Sequence, residues 1–481
     1  MDLKGAEIRN ILEMCMNIGT KNRVPLKVNI PYYQRPYRWD EKRITNLISD
    51  FYKNKNENKS AEYFVGSVVL VEDEKIQNRY DIIDGQQRVT TVFLLNYLRF
   101  LLQRSYVEEL ISTKGSNLDG PLYDLQEIYG NLFGSKYLDA FAKMRGDIIE
   151  KMEPLSDLTD SERDQVYIEI AELYRKTVFL PERDFSDLDK YYNEYEKLQK
   201  SFISTDDLAL TYSRKTFDTV LGEALSKVCV IVSKDDNPRL YIIGEKDKID
   251  ANILQYTNAI KYEFNVIIKL LQLSGKPLQN AREILRFMKQ MIENIRFCVI
   301  VTGNERDAYT LFEVLNDRAM EIDDLELIKN LFLKAYCNTS GDMDAVIDDN
   351  IGVLDEIWGD EIFTRDLTDA HTKLISYLGA LYLTADEFMF TNKIERYREI
   401  IESKYLNSYS LESNKYLFSK ALNDIRVYQM MRVIIEDYKI PVRNAAISCI
   451  RAENNTQVSI TFKAFHLLNA LKQDGVLACT Y

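Results

Sequence analysis

The sequence predicts an α+β protein, with a mixed α/β core towards the amino terminus and large helical additions. Three observations support this prediction. Apolar strand patterns such as VGSVVLV at 65–71 stand between helical patterns early in the chain. Strand patterns return at 227–232, 239–243 and 295–301, after a long helical stretch. From about residue 341 onward the pattern is almost entirely helical.

Composition and charge narrow the class of protein. The 481 residues are 46% hydrophobic and 28% charged, which is typical of a globular protein. Apolar runs are too short to span a bilayer and the first residues lack a signal-peptide pattern, so we expect a cytoplasmic protein without a membrane partner. Six scattered cysteines without a C-x-x-C pair exclude a zinc ribbon. The net charge of -13 argues against a surface that is basic overall and binds nucleic acid in that way, but it is compatible with a local basic groove.

The first elements are predicted from local periodicity. EIRNILEMCMNI at 7–18 has the apolar spacing of a short amphipathic helix, and a strand follows near 24–30. Pro31 and Pro36 then hold the chain extended.

A helix and a hairpin are predicted next. Asp40 is a good N-cap for a helix at about 41–52. Strands at about 63–71 and 76–83, joined by the acidic turn EDEK, form the hairpin.

The predicted core is assembled from segments far apart in the sequence. A charged, tyrosine-rich helical insertion separates the two groups of strand patterns. The predicted domain limits are 1–105 for the first part of the core, 106–222 for the insertion, 223–340 for the completion of the core and 341–481 for the helical carboxyl-terminal region.

The motif DGQQR, residues 84–88, follows a strand and opens a very apolar helix. Gly85 lets the backbone approach a ligand, and the free N–H groups of a helix start favour an anion. Arg88 can clamp a phosphate, while Gln86 and Gln87 can orient a ribose, a base edge or a water molecule. Asp84 would then hold Mg²⁺, act as a base or cap the helix.

A purely structural interpretation of the same motif stays open from these residues alone. In it, Asp84 is the N-cap, Arg88 is its i+4 ion-pair partner and the two glutamines are solvated.

The segment IPYYQRPYRW is stiff and aromatic. Its rings and arginines could stack a base and bind phosphate. For Tyr32, Tyr37 and Trp39 we favour the alternative that they cover the core. Gln34 and Arg35 fit that alternative poorly.

A third polar stretch is Asn316-Asp317-Arg318 within FEVLNDRAMEIDDLELIKN. By composition it is a corner between two helices, with Asp323 and Glu326 as a capping box.

Missing motifs argue against a standard P-loop NTPase and against a zinc hydrolase. The chain has no G-x-x-x-x-G-K-[ST], no G-x-G-x-x-G, no H-E-x-x-H and no G-x-S-x-G. His371 and His466 lie in helical patterns without metal-ligand partners, and we interpret both as structural.

Together and in this order, the three motifs resemble the DGQQR-domain family. This is the GmrS-type nucleotide-hydrolysing half of modification-dependent (type IV) restriction and phage-defence proteins, related to the ParB/sulfiredoxin-like fold. The resemblance covers roughly residues 10–105 and 225–340.

The resemblance implies a nucleoside triphosphate site with Mg²⁺ as a further cofactor, Asp84 being the expected metal ligand. The hydrolytic or metal-organising residues would be Asp84, Gln87 and Arg88. The residues around the nucleotide would be Gln34, Arg35, Gly85, Gln86, Asn316 and Arg318. Ala319 stands where the family usually has glycine.

The expected function is an NTP-hydrolysing regulatory component of a restriction or anti-phage system that acts on foreign DNA, including modified DNA. The chain lacks an HNH-type histidine cluster. Proteins that this chain resembles often carry an HNH-type nuclease on the same or a partner chain. That nuclease is therefore expected on a partner chain or on a missing carboxyl-terminal domain. Two alternatives remain: a metal-dependent DNA nuclease using Asp84 with Asp81, and a non-catalytic nucleotide-binding module.

Overall fold

A computed structural model describes the amino-terminal part of the chain. The described residues are 3–15, 27–31, 34, 36–57, 62–73, 79–134, 136–203, 208–245 and 249–303. The chain divides into two compact units, Met1–Glu321 and Ile322–Tyr481, and every described residue belongs to the first. The predicted helical region 341–481 thus lies outside the described residues.

The described elements form a six-stranded main sheet, a small hairpin and a set of helices. The main-sheet strands are β1 (Leu3–Arg9), β2 (Val28–Ile30), β3 (Tyr63–Glu72), β4 (Tyr80–Asp84), β5 (Leu210–Tyr212) and β8 (Ile295–Thr302). The hairpin consists of β6 (Val228–Ile231) and β7 (Arg239–Ile242). The helices are α1 (Glu41–Glu57), α2 (Gln86–Ser112), α3 (Asp119–Phe133), α4 (Leu138–Met152), α5 (Asp160–Val178), α6 (Leu188–Phe202), α7 (Lys215–Ser226), α8 (Ala251–Leu271) and α9 (Pro277–Asn294).

The main sheet is mixed, with the order β1-β8-β3-β4-β2-β5. Strand β2 runs parallel to both β4 and β5, whereas β3 runs antiparallel to β4 and parallel to β8. The carboxyl ends of β4, β2 and β5 therefore lie at one edge of the sheet, together with the amino end of β3. In sheets with parallel strands, ligands bind outside the carboxyl ends of the strands.

Helix α2 is the central element of the core. It is buried around most of its circumference, as its apolar sequence predicts, and Tyr97 and Phe100 are fully buried. Its second half holds the helical insertion through polar contacts, since the buried Arg104 donates hydrogen bonds to the Val178 carbonyl and to the Gln199 side chain. The helix is thus anchored at the end opposite to the DGQQR turn.

Several predictions from sequence are confirmed. The fold is α+β, with helices and a mixed sheet. The side chain of Asp40 accepts a hydrogen bond from the Arg43 N–H at 2.9 Å, at the start of α1. Strands β3 and β4 form the antiparallel pair. The ParB/sulfiredoxin-like detail stays a prediction.

The predicted helix at 7–18 is wrong over the described residues 7–15. Leu3–Arg9 is a strand, and Ile11–Glu13 forms a short 3-10 turn. Residues 16–18 lie outside the described residues. The cause is non-local, because β1 pairs with β8, and Ile8 lies opposite Cys298. Sheet pairing with a partner so distant in sequence overrides the local helical periodicity.

The main sheet extends into the range predicted as a helical insertion. Helices α3 to α6 fill most of that range, but Leu210–Tyr212 is a strand that pairs with β2. Helix α2 also continues to Ser112, past the predicted limit at 105. Among the described helices, none has both the length and the apolar character needed to cross a bilayer.

Candidate functional site

The DGQQR turn connects the carboxyl end of β4 to the first turn of α2. Gly85 is the N-cap residue, with left-handed backbone angles of φ 89° and ψ 5°, and no side chain caps the helix start. A Cβ atom at this position would lie 2.8 Å from Val68 Cγ2 and 3.0 Å from the Ser67 carbonyl oxygen. Glycine is therefore required for the turn to pack on β3. The structural alternative that made Asp84 the N-cap is wrong.

Asp84 and Arg88 form an ion pair across the turn. Arg88 Nη2 lies 3.3 Å from Asp84 Oδ2, and their side chains are 26% and 17% exposed. Burial raises the pKa of the Asp84 carboxyl above its usual value, while the Arg88 guanidinium and the Gly85 N–H act in the opposite direction. The pair is thus a half-buried charge pair at the start of a helix.

Arg88 also contacts the neighbouring strand. Its Nη1 donates a hydrogen bond to the Val65 carbonyl of β3 at 3.2 Å. A guanidinium has five N–H donors in a planar fork. The two contacts to Val65 and Asp84 fix the plane of this fork at the edge of the sheet.

Gln87 holds the segment that precedes α1. Its Oε1 accepts a hydrogen bond from the Arg38 N–H at 2.7 Å, and its Nε2 donates to the Pro36 carbonyl at 3.1 Å. The side chain is only 8% exposed. In this conformation Gln87 positions the backbone of residues 36–38, and the catalytic role that the resemblance implied stays a prediction.

Gln34 and Tyr37 tie the same segment to the motif. Gln34 Nε2 donates a hydrogen bond to the Ile83 carbonyl at 2.9 Å, immediately before the turn. The hydroxyl groups of Tyr37 and Thr91 are 2.9 Å apart, and Thr91 in turn donates to the Gln87 carbonyl. The structure therefore brings Gln34 to the DGQQR turn, and its role in binding a nucleotide stays a prediction.

The described aromatic residues of this segment, Tyr37 and Trp39, cover the core, as predicted. Tyr37 is 2% exposed and its ring stacks on Tyr256, with 5.5 Å between ring centroids. Trp39 is partly buried against the same core. Tyr32, the third residue for which this was predicted, lies outside the described residues.

The sequence reasoning missed a polar cluster that joins the three parallel strands. Asn29 of β2 donates hydrogen bonds to Asp81 Oδ1 at 2.6 Å and to Ser213 Oγ at 2.9 Å, and it accepts one from Thr211 at 3.3 Å. The signal was a polar residue inside the short strand VNI, where Asn29 is 2% exposed. The cluster fixes β4, β2 and β5 relative to one another.

The remaining predicted residues divide into two groups. Gln86 is 6% exposed, so the alternative in which both glutamines are solvated is wrong. Arg35, Asn316 and Arg318 lie outside the described residues.

The comparison with protein families shows to which family the chain belongs. Residues 16–333, about two thirds of the chain, match the profile described as GmrSD restriction endonuclease, N-terminal domain. The chain belongs to the GmrSD restriction endonuclease family. No curated protein matches it significantly. As a GmrSD chain it is a component of a restriction or defence system, and the DGQQR turn lies within the matched residues.

The single carboxylate at the DGQQR turn of this GmrSD domain can bind Mg²⁺ only if a bound ligand supplies further oxygen atoms. Asp84 is a single carboxylate, and no group of three or more histidine, cysteine or acidic side chains is placed to hold a metal among the described residues. Mg²⁺ is commonly bound through one or two carboxylates together with substrate phosphates. Asp84 would thus contribute one oxygen ligand, and phosphate oxygens and water would supply the others.

Proposed function

We propose that the chain binds and hydrolyses a nucleoside triphosphate at the corner formed by Asp84–Arg88 and Gln34. The observation that carries this proposal is the Arg88 guanidinium, which is fixed by Val65 and Asp84 at the first turn of α2 and remains 26% exposed. A fixed, part-exposed guanidinium at a helix start is suited to bind phosphate oxygens.

The electrostatics of the corner favour a phosphate with a metal ion. The helix dipole and Arg88 attract an anion, whereas Asp84 repels it. Asp84 would hold Mg²⁺, whose charge would offset this repulsion and the negative charge that develops on the phosphates. The half-buried position of Asp84 strengthens each of these interactions, because the local dielectric constant is lower than that of water.

The remaining polar residues position the corner. Gln87 holds the backbone of residues 36–38, and Gln34 holds the end of β4, so both glutamines support the turn from the side of β2. A phosphate clamp needs this support, because displacement by about 1 Å can reduce a rate by about a hundredfold.

The proposed role in the restriction system is regulatory. Binding and hydrolysis of the nucleotide would switch the chain between two states that differ in their contacts at the DGQQR turn. These states would license or restrain cleavage of foreign DNA, including modified DNA. The cleavage itself would be carried out by an HNH-type nuclease on a partner chain or in a further domain.

The test is a turnover assay with ATP, GTP, CTP and UTP, with and without Mg²⁺ and DNA. We expect turnover of at least one nucleotide by the wild type, and a loss of about a hundredfold or more in Arg88→Ala, because the variant lacks the clamp on developing charge. Arg145→Ala is the matched control, since Arg145 is also an ion-paired arginine with a side chain that is 31% exposed, but it lies on α4.

The outcomes separate the alternatives from one another. Binding of nucleotide without turnover would indicate a non-catalytic module. Plasmid nicking that a chelator and Asp84→Ala abolish, without nucleotide turnover, would indicate a metal-dependent nuclease. The absence of both nucleotide binding and turnover in the wild type with Mg²⁺ would contradict the proposal.

A further inference from the structure

Gly66, in the middle of β3, faces the guanidinium of Arg88. A Cβ atom at this position would lie 2.1 Å from Arg88 Nη1 and 3.3 Å from Arg88 Cζ. Real Cβ atoms essentially never approach another atom so closely. The backbone of Gly66 has φ +113°, a conformation that residues other than glycine rarely adopt. The guanidinium thus occupies the space of a side chain that residue 66 lacks.

The register of β3 shows how this space is built. Phe64 lies opposite Arg296 of β8, whereas Ser67 lies opposite Cys298. Two residues of β3, Val65 and Gly66, therefore oppose one residue of β8, which is the pattern of a β-bulge. Bulges are frequent next to active sites, where they change the direction of a strand locally.

The bulge supplies both the acceptor and the space for Arg88. The Val65 carbonyl accepts a hydrogen bond from Nη1 at 3.2 Å, and Gly66 leaves the volume in which Nη1 lies. On the other side, Asp84 Oδ2 lies 3.3 Å from Nη2. The orientation of the guanidinium plane is therefore determined by β3 and β4 together, and not by helix α2 alone.

We propose that Gly66 is a positioning residue of the nucleotide site, acting through Arg88. A side chain at position 66 displaces the guanidinium from its contacts with Val65 and Asp84 and moves it out of line with a bound phosphate. The relevance of this position to catalysis rests on the proposed nucleotide hydrolysis, whereas the steric coupling between Gly66 and Arg88 does not.

The first test compares Gly66→Ala with Gly134→Ala. Gly134 also has a positive φ, +66°, but a Cβ atom there would meet nothing within 4 Å, so it reports backbone strain without displacement of a neighbour. Phenylglyoxal labelling followed by peptide mass spectrometry measures the accessibility of Arg88. We expect faster labelling of Arg88 and a loss of turnover of about a hundredfold in Gly66→Ala, and neither change in Gly134→Ala. Unchanged labelling of Arg88 in folded Gly66→Ala would overturn the proposal.

The second test is a double-mutant cycle measured by thermal unfolding. If Gly66 acts through Arg88, Gly66→Ala lowers the melting temperature less in an Arg88→Ala background, because the atoms that clash are absent there. An equal loss in both backgrounds, or failure of the double variant to fold, would show that backbone strain dominates and would overturn the proposal. Neither labelling nor unfolding requires nucleotide turnover, so a failure of the proposed function remains distinguishable from a failure of this inference.

Discussion

At the scale of single residues, the DGQQR motif combines two kinds of side chain. Asp84 and Arg88 carry charge and keep part of their surface exposed, whereas Gln86 and Gln87 are buried. The charged pair is available to a ligand, and the amide of Gln87 holds the backbone around it. The motif is thus both the site and part of its support.

Gln87→Ala should reduce both stability and nucleotide turnover. The substitution leaves the Arg38 N–H and the Pro36 carbonyl without their present partner, which we expect to cost about 1–3 kcal/mol in the free energy of unfolding. It also releases the segment next to Arg88, so turnover should fall. Urea denaturation and the turnover assay measure the two effects.

Gln103→Ala is the matched control for this prediction. Gln103 is also buried on α2, and its Nε2 donates a hydrogen bond to the Pro121 carbonyl at 2.8 Å, far along the helix from the motif. The control should lose stability and keep turnover. Equal turnover in the two variants after correction for the folded fraction would show that Gln87 does not support the site.

Single residues also show where sequence reasoning reached its limit. The position of Arg88 at a helix start was predicted from the local pattern, because strand, glycine and helix are consecutive. Gly66 was missed, although a glycine that interrupts the strand pattern VGSVVLV is a signal for a bulge or a close approach. The pattern does not reveal that the approaching group is Arg88, since that contact depends on the placement of α2 against β3.

At the scale of elements, predictions succeeded where the determinants are local. Helices α1 and α2 and the β3–β4 pair are encoded by periodicity and turn residues within short stretches. Strands β1 and β5 were not predicted, because each is stabilised by pairing with a strand that is far away in sequence. The same reason explains the missed cluster around Asn29, whose partners come from β4, from β5 and from the residue directly after β5.

Helix α8 carries a buried acid that should make stability depend on pH. Glu263 is 0% exposed, and neither of its carboxylate oxygens has a hydrogen-bond partner among the described residues. Burial raises the pKa of this carboxyl well above its usual value of 4.5. The folded chain therefore retains a proton that the unfolded chain releases above about pH 4.5.

The sign of the effect follows from this difference in proton binding. The contribution of protonated Glu263 is fully present below the unfolded pKa and is lost as pH rises towards the raised folded pKa, by up to about 1.4 kcal/mol per pH unit. In Glu263→Gln this loss is absent. The variant should thus gain stability relative to the wild type as the pH rises.

Thermal unfolding at about pH 5, 7 and 8 tests this prediction. Glu283 on α9, whose side chain is 40% exposed, is replaced in the control variant Glu283→Gln. A stability difference between Glu263→Gln and the wild type that stays constant with pH would contradict the prediction.

At the scale of the whole molecule, the sheet topology determines the position of the candidate site. The carboxyl ends of the parallel strands β4, β2 and β5 and the amino end of β3 meet at one edge, and the DGQQR turn lies there. Helix α2 connects this edge to the helical insertion through Arg104 and the part-buried ion pair of Glu108 and Arg175.

The family match places the chain in a restriction or defence system, and the geometry of the DGQQR turn supports the proposal that it binds a nucleotide there. Membership in the GmrSD restriction endonuclease family, over residues 16–333, makes the chain a component of a restriction or defence system. Its net charge of -13 means that any contact with DNA must use local positive groups or a partner. The central claim is that a nucleoside triphosphate binds with its phosphates on Arg88.

Protection of Arg88 from phenylglyoxal tests this claim most directly. The full chain is labelled without nucleotide and with a saturating, non-hydrolysable analogue of ATP, GTP, CTP or UTP in turn, each with Mg²⁺. The labelling of Arg88 and Arg145 is followed by peptide mass spectrometry. We predict that the nucleotide slows the labelling of Arg88 and leaves that of Arg145 unchanged. Equal labelling of Arg88 in the presence and absence of all four nucleotides would contradict the claim.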